Sequence, residues 1–311
     1  MAVQGGELMD GSLPDGPQTY SDRLDETYRL DTPDAELYFE LVGPPDAPVI
    51  FYLHGGPGYN SHSFRDLVGD DLGDFRMIYA DQRGSGRSLA DTGADLGVAA
   101  LAGDVVAILD ALRIPRATLL AHGFGATIAA AVTQRAPARI ERLVWVNPWT
   151  DMPALAETLQ LEAAKLGGRE VDETDLAELP PAERVQEAVR AGGGKNLFDA
   201  LLFRNAGSRM RLEHADAELF AELQESMLAD WENIWELRAD LDALRPFAHP
   251  TVVMLGRFDR SCYPRQAERV LGELPHALVS LLETAHYPWL DEPDAFEEVL
   301  RQAMNLPPRA P

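Results

Sequence analysis

Two residues able to handle a proton stand just beyond apolar runs. Asp259 ends Val252-Val-Met-Leu-Gly-Arg-Phe-Asp259, and His286 ends Glu283-Thr-Ala-His286. An imidazole takes and returns a proton near neutral pH, and a neighbouring carboxylate fixes its tautomer and offsets the charge it acquires. A third segment, Thr118-Leu-Leu-Ala-His-Gly-Phe-Gly-Ala126, runs from an apolar stretch through a tight turn of small residues into a helical pattern. A strand-to-helix turn of this kind holds a nucleophile exposed in acyl-transfer chemistry. The order turn, acid, histidine suits that chemistry, with 136 residues from Gly123 to Asp259 and 27 more to His286. The position that would carry the attacking side chain is Gly123, which has none.

A fourth element, His54-Gly-Gly-Pro-Gly58, follows the apolar run Val49 to Leu53. Glycines at 55 and 56 let the backbone turn sharply and present an N–H to a developing oxyanion, with the N–H of Phe124 as second donor. Each feature has a plain structural reading as well: a Gly-Pro turn, a capping aspartate, a buried structural histidine. Their joint occurrence in this order favours chemistry. Asp81-Gln-Arg-Gly-Ser-Gly-Arg-Ser88 reads instead as a turn whose charges lock neighbouring loops. Ser261, Cys262, Ser85 and Ser88 are not evident substitutes for the missing nucleophile.

These residues need a scaffold. Apolar runs of strand length occur at 37–42, 49–53, 77–80, 118–121, 143–146, 251–255 and 277–282. Helical spacing occupies 96–112, 124–135, 264–274 and 293–304. Strands alternating with helices predict an α/β fold, a mostly parallel sheet covered on both faces. From 149 to 246 leucine, alanine and glutamate recur at helical spacing without a strand, which predicts a helical cap inserted between two strands. The core is then 21–148 with 247–311, preceded by a flexible arm at 1–20 rich in Gly, Pro and Asp.

Composition narrows the partners. The 51 acidic and 27 basic residues of this 311-residue chain give a net charge of −24, which repels phosphate backbones and anionic lipid. Nucleic acid and membrane are therefore not expected partners, and a small molecule or short peptide is. The single cysteine, Cys262, rules out an internal disulfide, and no leader-like segment stands at the amino terminus, so a cytoplasmic location is expected. The oligomeric state is not legible.

Taken together, HGGPG at 54–58, DQRGSGRS at 81–88, the Gly256-Arg-Phe-Asp259 loop and AHYPWLDEPDAF around His286 resemble the prolyl iminopeptidase group of the α/β-hydrolase superfamily. The resemblance implies an eight-stranded sheet with a helical cap, no metal or organic cofactor, and release of an amino-terminal proline through an acyl-enzyme. It makes Asp259 the acid, His286 the base, and Gly55, Gly56 and Phe124 the oxyanion hole. Cap carboxylates that pair with the substrate's ammonium group are also implied, with Glu213 and Glu232 as candidates. The departure is Gly123, where the family carries serine. Glycine adopts this strained turn freely, so the turn survives while the acyl-enzyme route does not. The glycine is consistent with a substitution that traps substrate, with a non-catalytic binding or sensory relative, or with an esterase or C–C bond hydrolase in which His286 and Asp259 activate water directly.

Overall fold

The central strands are apolar along their whole length because both of their faces are covered. Within them the side chains divide by parity. Phe51, Ile78, Leu119, Leu143 and Val253 enter one core, while Ile50, Met77, Leu120, Val144 and Val252 enter the other. The computed structural model describes residues 3–4, 24–169, 179–219 and 231–307.

In chain order the strands are β1 (Val3–Gln4), β2 (Leu24–Asp31), β3 (Ala35–Gly43), β4 (Val49–Leu53), β5 (Arg76–Ala80), β6 (Leu89–Ala90), β7 (Ala117–His122), β8 (Ile140–Val146), β9 (Thr251–Gly256) and β10 (Leu278–Leu282). They form one sheet in the order β1-β2-β3-β5-β4-β7-β8-β9-β10, with the short β6 beside β3. From β5 across to β10 every pairing is parallel, whereas β1, β2 and β3 are antiparallel additions. This is the mostly parallel sheet of an α/β hydrolase. Among the described residues it has ten strands rather than eight, the extra two being the two-residue β1 and β6.

Three helices of the first half cover the two faces: α1 (His62–Val68), α2 (Val98–Ala111) and α3 (Gly125–Arg135). Between β8 and β9 lie α4 (Met152–Leu166), α5 (Pro181–Gly192), α6 (Lys195–Leu202), α7 (Ala206–Leu219) and α8 (Trp231–Trp235). The chain closes with α9 (Arg265–Glu273), α10 (Pro288–Asp291) and α11 (Pro293–Ala303). Helices α2, α3 and α9 pack on one core, and α1, α10 and α11 on the other. Of the helices between β8 and β9, α4, α5 and α6 extend the first core through Leu155, Leu159, Val185 and Leu201, while Leu212 of α7 joins the second. Asp151 caps α4, its carboxylate accepting the Ala154 N–H at 3.0 Å.

The helix spacing in the sequence locates α2, α3, α9 and α11 to within about two residues. The arm expected at 1–20 lies outside the described residues except for Val3–Gln4, which pairs with Arg29 and Leu30. Among the described residues no helix is long and apolar enough to cross a membrane.

Candidate active site

The site gathers at the carboxyl ends of the parallel strands, where an open α/β sheet places its crevice. Gly123 stands between β7 and α3 with φ +52°, a left-handed conformation that glycine adopts without strain. Gly125, two residues on, is glycine for a different reason: a Cβ there would lie 2.3 Å from the Leu53 carbonyl oxygen, so a side chain would push α3 off β4. At Gly123 a Cβ fits at ordinary van der Waals contact. A Cβ would meet nothing nearer than His286 Nε2 at 3.4 Å and Gly55 Cα at 3.7 Å.

His286 Nδ1 lies 2.7 Å from Asp259 Oδ2, and both side chains are buried. A carboxylate only accepts, so Nδ1 carries the proton and Nε2 presents its lone pair on the side of Gly123. The other oxygen of Asp259 accepts from the N–H of Ser261 at 2.9 Å, its hydroxyl at 2.5 Å and the N–H of Cys262 at 3.2 Å. Trp149 stacks on the face of the His286 ring, 4.8 Å between centroids at 22°. Three hydrogen bonds hold the backbone of His286 itself. Its N–H donates to Leu202 O at 3.1 Å, and its carbonyl accepts from His122 Nε2 at 3.0 Å and Asn147 Nδ2 at 2.9 Å. Burial, and then the neighbouring His286, hold the His122 imidazole well below the usual histidine range, so it is a neutral donor here.

A cavity of about 240 Å³ opens over these residues. Gly55, Gly56, His122 and His286 form its polar end, and Tyr59, Trp149, Phe198, Leu202, Trp235 and Tyr287 its walls. Burial above all raises the Tyr287 phenol beyond its ordinary value, so it faces the cavity as a neutral group. Phe124 opens α3 at its N-cap, beside Gly123. Gly123, Asp259, His286, Gly55, Gly56 and Phe124, separated by up to 231 residues in sequence, are thus brought to one place.

Of the two proposed cap carboxylates, Glu213 is not brought there. Glu213 lies half-exposed on α7, ion-paired to Lys195, and does not line the cavity. Glu232 falls within α8, but its side chain lies outside the described residues. One turn beyond Glu213, Asp216 accepts the Tyr59 hydroxyl at 2.5 Å and so reaches a cavity wall. Ser261 is no substitute nucleophile, because its Oγ sits on the Nδ1 side of His286, at 3.4 Å, away from Gly123. Burial raises the Cys262 thiol, which donates to Pro148 O. Sequence reasoning misses Trp149, Tyr287 and His122, although all three sit within three residues of a strand end or of His286. Among the described residues no group of three His, Cys, Asp or Glu is placed to hold a metal ion.

Comparison with known proteins agrees with this architecture. Residues 48–293 match the family model for the alpha/beta hydrolase fold. The crystal structure of a proline iminopeptidase-related protein from Thermus thermophilus superposes with a TM-score of 0.78 at 36% identity, covering 91% of this chain and 98% of that one. Proline iminopeptidase of Neisseria meningitidis serogroup A is 27% identical over 277 residues, 81% of this chain and 86% of that protein. "Putative carbamate hydrolase RutD" of Agrobacterium fabrum is 29% identical over 272 residues, 86% of this chain and 97% of that protein. Its namesake in Variovorax paradoxus matches at 37% over 115 residues, and there the chain spans 43% of the relative's length. The chain therefore belongs to the α/β-hydrolase fold family and is related to proline iminopeptidase.

Proposed function

We propose that the chain binds a small acyl compound, a proline amide or a related amide or ester, in the cavity beside His286 and hydrolyses it slowly by direct attack of water. The observation that carries this reading is the room for a side chain at Gly123, bordered at 3.4 Å by His286 Nε2. A substrate carbonyl seated over the Gly123–Phe124 turn has its oxygen directed at backbone N–H groups of Phe124 and the Gly55–Gly56 turn. Water enters where a serine hydroxymethyl would stand. His286 Nε2 takes its proton while the new C–O bond forms, and Asp259 offsets the charge on the imidazolium. The same proton then passes to the leaving nitrogen or oxygen as its bond to carbon breaks, giving a carboxylic acid and an amine or alcohol. The names of the relatives support a carbonyl substrate, since an iminopeptidase and a carbamate hydrolase both break a C–N bond at a carbonyl.

Loss of a serine nucleophile removes about six orders of magnitude in rate, leaving roughly 10³ to 10⁴ over water from the oxyanion donors and binding. Hydrolysis of proline p-nitroanilide by the unaltered chain is accordingly expected to be barely measurable. Gly123→Ser raises it by several orders of magnitude, with a burst of product from the acyl-enzyme, and His286→Ala removes the gain. A fast burst from the unaltered chain would overturn the reading. The missing attacking atom also favours a second reading, a protein that binds an unmodified small molecule without turnover. Equilibrium binding of a proline amide that survives His286→Ala, with no product on long incubation, would select it.

A further inference from the structure

Ser261 lies buried in the loop that carries Asp259, and its hydroxyl has three neighbours. Its Oγ is 2.5 Å from Asp259 Oδ1, 3.0 Å from Trp149 Nε1 and 3.4 Å from His286 Nδ1. The directions of these bonds are forced. A carboxylate can only accept and an indole N–H can only donate, so the hydroxyl hydrogen points at Asp259 and one lone pair receives Trp149. The remaining lone pair faces the Nδ1 proton that Asp259 Oδ2 holds at 2.7 Å. Trp149 is itself the plate stacked on the imidazole at 4.8 Å. One hydroxyl therefore ties the carboxylate that grips the edge of His286 to the indole that covers its face.

We propose that Ser261 is a positioning residue for the His286–Asp259 pair, setting both the orientation of the carboxylate and the plane of the imidazole through Trp149. The proposal rests on the reading of His286 as the base. It acts through the pair and not on substrate, since Oγ lies on the far side of the ring from Gly123. The titratable groups around His286 are Asp259 and Cys262 from the acid loop, His122 from the end of β7, and Tyr287 next in the chain. Burial keeps the thiol, the phenol and the His122 imidazole uncharged, so the charge that His286 senses is that of Asp259.

The test is the titration of His286, followed by the ring-carbon resonances of histidine and assigned with His286→Gln. The full chain is compared with Ser261→Ala, Ser261→Thr and Trp149→Phe. Without the hydroxyl, Asp259 loses a charge-assisted donor, its negative charge is more available, and the imidazolium is better stabilised. The midpoint of His286 in Ser261→Ala therefore rises by about one pH unit. Ser261→Thr, which keeps the hydroxyl, restores it, and Trp149→Phe, which keeps a plate but loses the N–H, moves it less than Ser261→Ala does. In the Gly123→Ser background Ser261→Ala lowers kcat while KM on proline p-nitroanilide stays within about twofold.

A midpoint unchanged to within about 0.2 units in Ser261→Ala, with only the unfolding midpoint lowered, makes Ser261 a packing residue and overturns the proposal. Should Ser261→Ala not fold, Ser261→Cys replaces it. A thiol is a weak donor, and an unshifted midpoint there is equally decisive. If Gly123→Ser shows no turnover at all, the functional reading falls, while the titration still decides the role of Ser261.

Discussion

Two turns at the carboxyl ends of this sheet carry buried charge, and they are built to opposite purposes. After β5, Asp81 accepts from Ser61 N–H at 2.8 Å, Ser61 Oγ at 2.7 Å, Arg87 N–H at 2.8 Å and Arg87 Nε at 2.8 Å. Arg87 also donates to Glu40 at 2.7 Å, and its guanidinium lies 4.0 Å over the Tyr38 ring. Each of these charges is answered by another, and together they fasten the turn after β5 and Ser61, at the start of α1, to β3. After β9 and β10, Asp259 is answered just as fully, but the chain of bonds ends at His286, which lines the cavity with its Nε2 on the side of Gly123. A buried polar network is structural when it closes on itself and chemical when one lone pair is directed at space a ligand can fill.

The comparison is broken most sharply at Asp259. In the Gly123→Ser background Asp259→Asn keeps the shape but imposes the wrong histidine tautomer, and the rate on proline p-nitroanilide falls by about four orders of magnitude. Arg87→Leu does the reverse, acting on stability first. It leaves Asp81 buried and unpaired, at a cost of about 3 to 5 kcal/mol by urea unfolding. The pH dependence sharpens the point. Burial opposes the Asp81 charge, but the hydrogen bonds and charge of Arg87 outweigh it, so its carboxyl sits below the ordinary 3.8. A depressed carboxylate contributes stability above its unfolded value and loses that contribution as pH falls through the folded value. The unaltered chain therefore loses nothing from Asp81 between pH 7 and 5, the loss beginning only below about pH 4. In Arg87→Leu the unpaired carboxyl is raised, the sign inverts, and the variant recovers stability relative to the unaltered chain on going from pH 7 to 5. A parallel response of the two chains would show that Arg87 is not what holds the Asp81 charge.

In the sequence the closed and open networks are both short polar motifs after apolar runs, and it is the order of the motifs along the chain, not their composition, that separates them. The order of Gly123, Asp259 and His286 is legible because it follows the strands that carry them, and apolar runs reveal buried parallel strands. Strand β2, Leu-Asp-Glu-Thr-Tyr-Arg-Leu-Asp, escapes notice because it buries only one face, through Tyr28 and Leu30, between charged neighbours. Helix α1 is too short for its period to register. The walls of the cavity escape for another reason. Phe198, Leu202 and Trp235 come from helices whose inward face is set by how α4, α6 and α8 pack, and helical spacing alone gives a stripe without saying what it covers.

That last limit is tested on α7, where two carboxylates one turn apart meet different surroundings. Asp216 is half-buried and accepts from Tyr59, a residue of the cavity wall, and burial raises its carboxyl. Asp216→Ala removes the charged one of the phenol's two partners, leaving Ser63 Oγ at 2.7 Å, and costs about 1 kcal/mol, read as a lower urea midpoint. In the Gly123→Ser background it also raises KM, because Tyr59 is then fixed in the wall by one bond instead of two. Glu213 is one of the two cap candidates that the resemblance implies, yet it is half-exposed and paired with a lysine whose ammonium is itself in solvent. An exposed pair of long side chains gains little over hydration, since fixing their geometry offsets the attraction. Glu213→Gln is therefore expected to leave the urea midpoint, kcat and KM on proline p-nitroanilide unchanged within error. A rise in KM confined to substrates with a free amino group, absent with neutral esters, would return Glu213 to the site and require α7 to turn inward when ligand binds.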